Sequence, residues 1–257
     1  MIELREVCLV RRTREEYSDD LKARVLALAS GRYRKPRSKA VLEDITLSIG
    51  AGEKVALIGA NGAGKSTLLK LIAGILTPST GTIAVSGRVA ALIELGAGFD
   101  AELTVADNII RYGVLLGLDR RTIETRVDGI LRFAELEEYR RYPVRALSSG
   151  MLARLGFAIV TDTDADILLV DEALAVGDES FRTKSRARID ELWRAATTVV
   201  IVSHDLSVVR ATCSRTIWVD KGQIAAAGKT ADIIDRYLRS VDRAAIEALI
   251  SAGVRDK

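Results

Sequence analysis

A chain of 257 residues, 48% apolar and 28% charged, can bury one substantial core, which excludes a disordered protein and suits one α/β domain with at most a small appendage. Its 38 basic and 35 acidic side chains leave a net charge of only +3, which excludes the broad cationic footprint of a nucleic-acid binder. Cys8 and Cys213 have neither CxxC spacing nor a companion His cluster, so they read as two reduced structural thiols of a cytosolic protein rather than a disulfide framework or a zinc site.

The N-terminus, MIELREVCLV, alternates acidic and apolar residues, unlike the basic start and long apolar run of a signal peptide. Residues 2–10 read as a strand. Residues 11–39 form a charged segment with a helical stretch at 17–28, where Leu21, Val25 and Leu28 share a face. That helix suits docking to a partner or, equally, covering a sheet. Arg32, Arg34, Lys35, Arg37 and Lys39 form a basic cluster, suited either to anionic headgroups or a pyrophosphate-linked lipid, or to plain solvation. Strand pattern returns at 42–49, Gly50-Ala51-Gly52 is a turn, and 54–58 is a buried strand feeding a glycine loop.

Residues 65–73 are helical, and 82–93 read as two strands split by Gly87. A helical block follows at 105–139, its buried face assigned to Ile109, Val114, Leu115, Leu118, Ile123, Val127, Ile130 and Leu131. After Gly150, helices alternate with apolar strands at 167–170, 198–202 and 216–219, as in a parallel sheet covered by helices. Residues 230–250 form a helical tail, read as packing on the core in preference to a dimer contact. No window approaches the roughly 20 apolar residues that span a bilayer, so a membrane role needs a partner.

Gly59-Ala60-Asn61-Gly62-Ala63-Gly64-Lys65-Ser66-Thr67 matches GxxxxGK[ST] between a buried strand and a helix, where the chemistry requires it. Glycines let successive N–H groups curl around phosphate oxygens, the helix turns its positive end toward them, and Lys65 neutralises β/γ charge. Ser66 offers a hydroxyl to Mg²⁺. A Gly-rich turn with an ordinary surface lysine would not need this strand–loop–helix setting.

Residues 167–170 form an apolar strand ending in Asp171-Glu172, at the end of a parallel sheet where ligands bind. Asp171 is expected to hold Mg²⁺ through water and Glu172 to accept a proton from the attacking water, although an acidic helix N-terminus would look similar. His204, the one histidine, follows another apolar strand and so shares that sheet edge. A γ-phosphate contact is its expected role, against a purely structural one.

Together these elements resemble the ATP-binding cassette (ABC) family, because Leu147-Ser148-Ser149-Gly150-Met151 stands where that family has its LSGGQ signature. Ser149 replaces a glycine and Met151 a glutamine. Ser148 and Gly150, the pair that contacts the γ-phosphate across the family's dimer, are retained. Asp178 matches the D-loop aspartate and His204 the switch histidine. The resemblance covers about residues 1–228 and implies a P-loop NTPase of ABC type: an α/β fold with a mixed-sheet core, an antiparallel β subdomain and an inserted α-helical subdomain at about 104–160. Residues 229–257 follow as the tail. It further implies ATP and Mg²⁺ as cofactors, ATP hydrolysis, and a head-to-tail homodimer closing over two nucleotides.

Glu94 occupies the place of the family's Q-loop glutamine. Its Ile93-Glu94-Leu95-Gly96-Ala97-Gly98-Phe99 segment, the SSGM signature and the Leu103 to Asn108 run resemble the subfamily that exports O-antigen, capsule or teichoic-acid polymers. The resemblance implies a lipid-linked glycan substrate, separate integral-membrane permease subunits, and a place at the cytoplasmic face of the inner membrane. Residues 11–39 resemble the helical insertion of such ATPases. A chain ending at Lys257 is expected to lack the carbohydrate-binding domain that some O-antigen ATPases carry. Tyr33 is the candidate for stacking on adenine, with Tyr17 competing. Another transporter class, or a non-transport ABC ATPase on nucleic acid or ribosomes, is the alternative; no nucleic acid is expected.

Overall fold

The computed structural model describes residues 1–13, 37–93, 95–171, 179–195 and 198–253, with backbone alone at 12–13, 37–38 and 242–253. The helix expected at 17–28, the candidates Tyr17 and Tyr33, the cluster residues Arg32, Arg34 and Lys35, and Glu94, Glu172 and Asp178 lie outside the described residues.

β1 (Ile2–Thr13) pairs antiparallel with β2 (Arg37–Ile49), and the ladder reaches Thr13 opposite Arg37. Both strands therefore run further into the charged segment than their apolar alternation extends, and Arg37 and Lys39 of the basic cluster are strand residues. β3 (Lys54–Ile58) is buried over its last four residues, as a central parallel strand covered on both faces must be, and leads to α1 (Lys65–Ile72). β4 (Thr80–Val85) pairs back with β1, whereas β5 (Val89–Leu92) joins the second sheet. The two strands read at 82–93 thus separate at Gly87 into different sheets.

Three helices follow: α2 (Val105–Leu115), α3 (Arg120–Ala134) and α4 (Ser149–Thr161). The block read at 105–139 breaks at Gly117, and Asp119 caps the new helix by accepting from Thr122 N. Ile109, Leu118, Ile123, Val127, Ile130 and Leu131 are buried in a cluster of their own with Leu155 and Ile159 of α4. Val114 and Leu115, assigned to that face, are instead 46% and 66% exposed. The buried stripe of α2 runs through Val105, Asn108, Ile109 and Gly113; at 100° per residue Val114 turns away from it, and Leu115 is the helix's last residue, where the stripe runs out.

The remainder alternates β6 (Ile167–Asp171), α5 (Glu179–Arg194), β7 (Thr198–Val202), α6 (Leu206–Thr212), β8 (Arg215–Asp220), β9 (Gln223–Lys229) and α7 (Thr230–Gly253). β2-β1-β4 make one antiparallel sheet. β5-β6-β7-β3-β8-β9 make a mixed sheet, parallel through β8 and antiparallel at β9, a strand beyond the apolar stretch read at 216–219. The two sheets share a core that includes Ile2, Leu4, Leu42, Leu57, Leu69 and Val200. The early part of α7 packs on the sheet: Ile233 and Ile234 are buried, and Tyr237 meets Trp218 edge to face at 5.7 Å. Cys213 is buried and Cys8 half-buried, both as free thiols. Among the described residues no helix is long and apolar enough to cross a membrane.

Candidate functional site

The parallel strands β3, β6 and β7 lie side by side, so the loops leaving their C-terminal ends converge. A cleft of roughly 460 Å³ opens there, lined by Asn61, Gly62, Gly64, Lys65, Ser66 and Thr67 from the first loop, Asp171 from β6, and Val202 and His204 at the end of β7. Residues nearly 150 positions apart in sequence thus share one cavity, and His204 is exposed within it.

The loop is held by its backbone. Gly59 has φ +144°, and a Cβ there would stand 2.1 Å from Val219 O, so no side chain fits between β3 and β8 at this point. Ala60 and Ala63 close a turn through Ala63 N to Ala60 O at 3.2 Å. Gly64 caps α1 in the left-handed region without any side-chain cap, which leaves the positive end of the helix facing the cleft. Lys65 is 5% exposed, and its Nζ donates to Gly59 O at 2.7 Å and Ala60 O at 2.9 Å. A buried cation in the first turn of a helix whose N-terminus lines the cleft suits a polyanion.

Two contributors escaped the sequence reading. Val41, at the register shift between the Leu9–Leu42 and Val10–Ala40 pairs of β1 and β2, lines the cleft. The β8–β9 turn, with Lys221 at φ 46° and Gly222 at φ 83°, braces the loop from behind. Gly222 N donates to Ala63 O at 2.9 Å, and Gly222 O accepts from Glu43 N at 2.9 Å. A Lys-Gly pair before a short alternating run is the signal that would have found it.

Beyond His204, Asp205 caps α6 by accepting from Ser207 N at 2.9 Å and Val208 N at 3.2 Å. The Ser207 hydroxyl foremost, then these backbone donors, hold its carboxyl below the usual aspartate range.

The signature residues stand elsewhere. None of Leu147, Ser148, Ser149, Gly150 and Met151 lines the Lys65 cleft. Leu147 is buried and Met151 half-buried in the helical cluster, while Ser148, Ser149 and Gly150 are exposed at the tip of α4, where Ser148 Oγ caps the helix from Met151 N at 3.3 Å. The segment after Glu94 lies along α4: a Cβ on Gly156 would meet Gly96 N at 2.8 Å. Asn108, 1% exposed, pins the turn that follows by accepting from Asp100 N and donating to Asp100 O, Leu103 O and Thr104 O at 2.8–3.2 Å. A buried amide with its bonds this fully made is a positioning group, at the end of the Leu103 to Asn108 run.

Residues 42–175 match the family described as ABC transporter. The O-antigen export system ATP-binding protein RfbB of Klebsiella pneumoniae is 43% identical over 207 residues, 80% of this chain and 84% of that protein. The teichoic acids export ATP-binding protein TagH of Bacillus anthracis is 38% identical over 196 residues, 76% of this chain but 36% of that longer protein. The fold is that of the ATP-binding cassette MJ0796, solved as a dimer in a post-hydrolysis state with ADP and Pi, at a TM-score of 0.65 and 21% identity over 90% of this chain and 99% of that one. With a phosphate cradle, a carboxylate strand and a strand-end histidine in one cleft, and relatives this similar over most of its length, the chain belongs to the ABC transporter family and is one of its ATPase cassettes.

Proposed function

We propose that this chain is the ATP-binding and ATP-hydrolysing subunit that powers export of a lipid-linked polysaccharide of O-antigen, capsule or teichoic-acid type through a separate membrane permease. The observation that carries the ATPase half is the convergence of Lys65, Ser66, Asp171 and His204 on one cleft. The export half rests on the relatives, whose names assign them to O-antigen and teichoic-acid export.

In this reading Lys65 and the N–H groups from Gly59 to Thr67 hold the β- and γ-phosphates of ATP. Ser66 and Asp171 suit Mg²⁺, which keeps several water and phosphate ligands and needs few from protein. Bound Mg²⁺ supplies charge neutralisation at the phosphates. Glu172, next along the chain from Asp171, takes a proton from the water that attacks the γ-phosphorus, whose bond to the bridging oxygen breaks to leave ADP and phosphate. His204 contacts the γ-phosphate. Ser148 and Gly150 of a second copy complete the site, with Asp178 as the D-loop aspartate, Glu94 at the Q-loop position and Tyr33 as the residue that stacks on adenine.

Lys65→Ala should weaken ATP binding and lower turnover by about 100-fold or more, whereas Glu172→Gln should keep ATP bound, accumulate the closed dimer and lose turnover to a similar degree. Undiminished hydrolysis by the glutamine variant would remove Glu172 as base. In cells carrying the Lys65 variant, lipid-linked polymer should accumulate on the side of its synthesis. Normal surface polymer in those cells would sink the export role.

A further inference from the structure

Four non-glycine residues among those described have positive φ, and one of them ends a helix. Glu135 closes α3 at φ 58°, ψ 48°, a left-handed position that glycine takes without cost and a glutamate does not. The cap itself needs no carboxylate, because Glu135 makes it with its backbone N–H to Leu131 O and Arg132 O. The side chain is engaged elsewhere. Oε2 accepts from Arg154 Nη1 of α4 at 3.1 Å, and Oε1 lies 3.4 Å from Lys184 Nζ of α5.

Both cations have further contacts on the same node. Arg154, its side chain 17% exposed, lies 5.7 Å from the centre of the Phe181 ring, and Lys184 lies 4.8 Å over Phe133 while donating to Phe133 O at 2.8 Å. Phe133 of α3, Phe157 of α4 and Phe181 of α5 meet one another at 5.8–6.1 Å beneath them. Each helix thus contributes one ring, and Glu135 joins the two cations above.

The position of these helices gives the node a role. Arg154 is one helical turn beyond Gly150, on the helix whose tip carries Ser148. Lys184 is on the helix that begins at Glu179, the residue after Asp178. We propose that Glu135 is a positioning residue which locks the signature helix α4 to α5, itself packed on the mixed sheet through Phe181, so that Ser148 and Gly150 keep a fixed direction toward a closing ATP site. The inference rests on the ATPase reading above.

Stability alone does not account for it. The Glu135 side chain is 46% exposed, an ion pair this open contributes little, and the left-handed backbone offsets a comparable amount. Glycine at 135 would relieve the backbone and remove the link at once, which separates the two roles.

Glu135→Gly should keep its melting temperature within about 3 °C of the parent. Its KM for ATP, set at the Lys65 loop, should change by less than about twofold, while kcat falls about tenfold. Lys184→Met should reproduce the fall in kcat, and the double variant should be about as impaired as the worse single one. A parental kcat in folded Glu135→Gly overturns the proposal, as does a loss that tracks unfolded protein, a rise in KM alone, or additive losses in the double variant. Lys65→Ala in parallel separates the premises: turnover that survives it discredits the ATPase reading, whereas its loss beside a parental Glu135→Gly discredits the node alone.

Discussion

The end of the parallel sheet and the tip of α4 both offer groups suited to phosphate, but they are built in opposite ways. At the sheet end, three strands, a glycine loop braced by Gly222 and a buried lysine form a walled cleft within one chain. At the tip of α4, Ser148 and Gly150 are exposed on a helical lobe with its own apolar cluster, and they line no part of that cleft. One region is a receptacle, and the other is an exposed edge, which in the proposed reading acts on a nucleotide held by a second copy. The sharpest difference is where the required precision resides: in close backbone contacts for the first, and in the fixed direction of one helix for the second.

The largest effect should come from breaking one region in each of two chains. Lys65→Ala and Gly150→Asp should each lack measurable turnover alone. When they are mixed, the pairs that combine one of each hold one site with an intact Lys65 and an intact signature, and activity should return to about a quarter of the parental value. Equimolar mixing with no recovery would mean that both regions serve the same chain's nucleotide.

Glycines sharpen the contrast on a smaller scale. A Cβ at Gly222 would stand 2.5 Å from Val41 O at φ 83°, so Gly222→Ala must displace the turn that holds Ala63 O. Loss of about 2–4 kcal/mol is expected from that clash and strain, read as a lower urea midpoint together with weaker ATP binding. Gly117 in the helical lobe is also left-handed, at φ 89°, but nothing lies within 4 Å of a Cβ there. Its alanine variant should lose only about 1 kcal/mol and keep its ATP affinity. Equal damage to nucleotide binding from both would show that the two regions are not built differently.

The same contrast sets what could be read in advance. The cleft was legible because its chemistry is local: GxxxxGK[ST] after an apolar strand, and Asp171 and His204 each at a strand's end. Val41 and Gly222 were not, because they act through β2–β9 proximity and a turn conformation rather than through any side-chain type. In the helical lobe the periodicity placed Ile109, Ile123, Val127 and Ile130 inward but overextended to Val114 and Leu115, since a sliding apolar count does not register where a helix stops. Glu135 was silent for a different reason. It reads as one more surface charge until its backbone conformation and its two partners are known, and those depend on how three helices pack.

The smallest effect is an acid limb shared by both regions. Asp119 starts α3 in the lobe and Asp205 starts α6 beside His204, and each carboxyl lies below the usual aspartate range, owing first to the hydroxyl of Thr122 and of Ser207 respectively. A folded-state value below the unfolded one near 3.9 means that the stabilisation is present above that pH and is lost as pH falls through the lower, folded value. Asp162 runs the other way. Burial raises it against the opposing pull of Arg126 and Arg188, so its contribution is present below the unfolded value and disappears as pH rises through the folded one. Asparagine caps a helix about as well as aspartate but does not titrate in this range. Asp119→Asn and Asp205→Asn should therefore match the parent at neutral pH and lose less melting temperature between about pH 5 and pH 3. An acid limb as steep in the double variant as in the parent would place the acid-sensitive groups outside both caps.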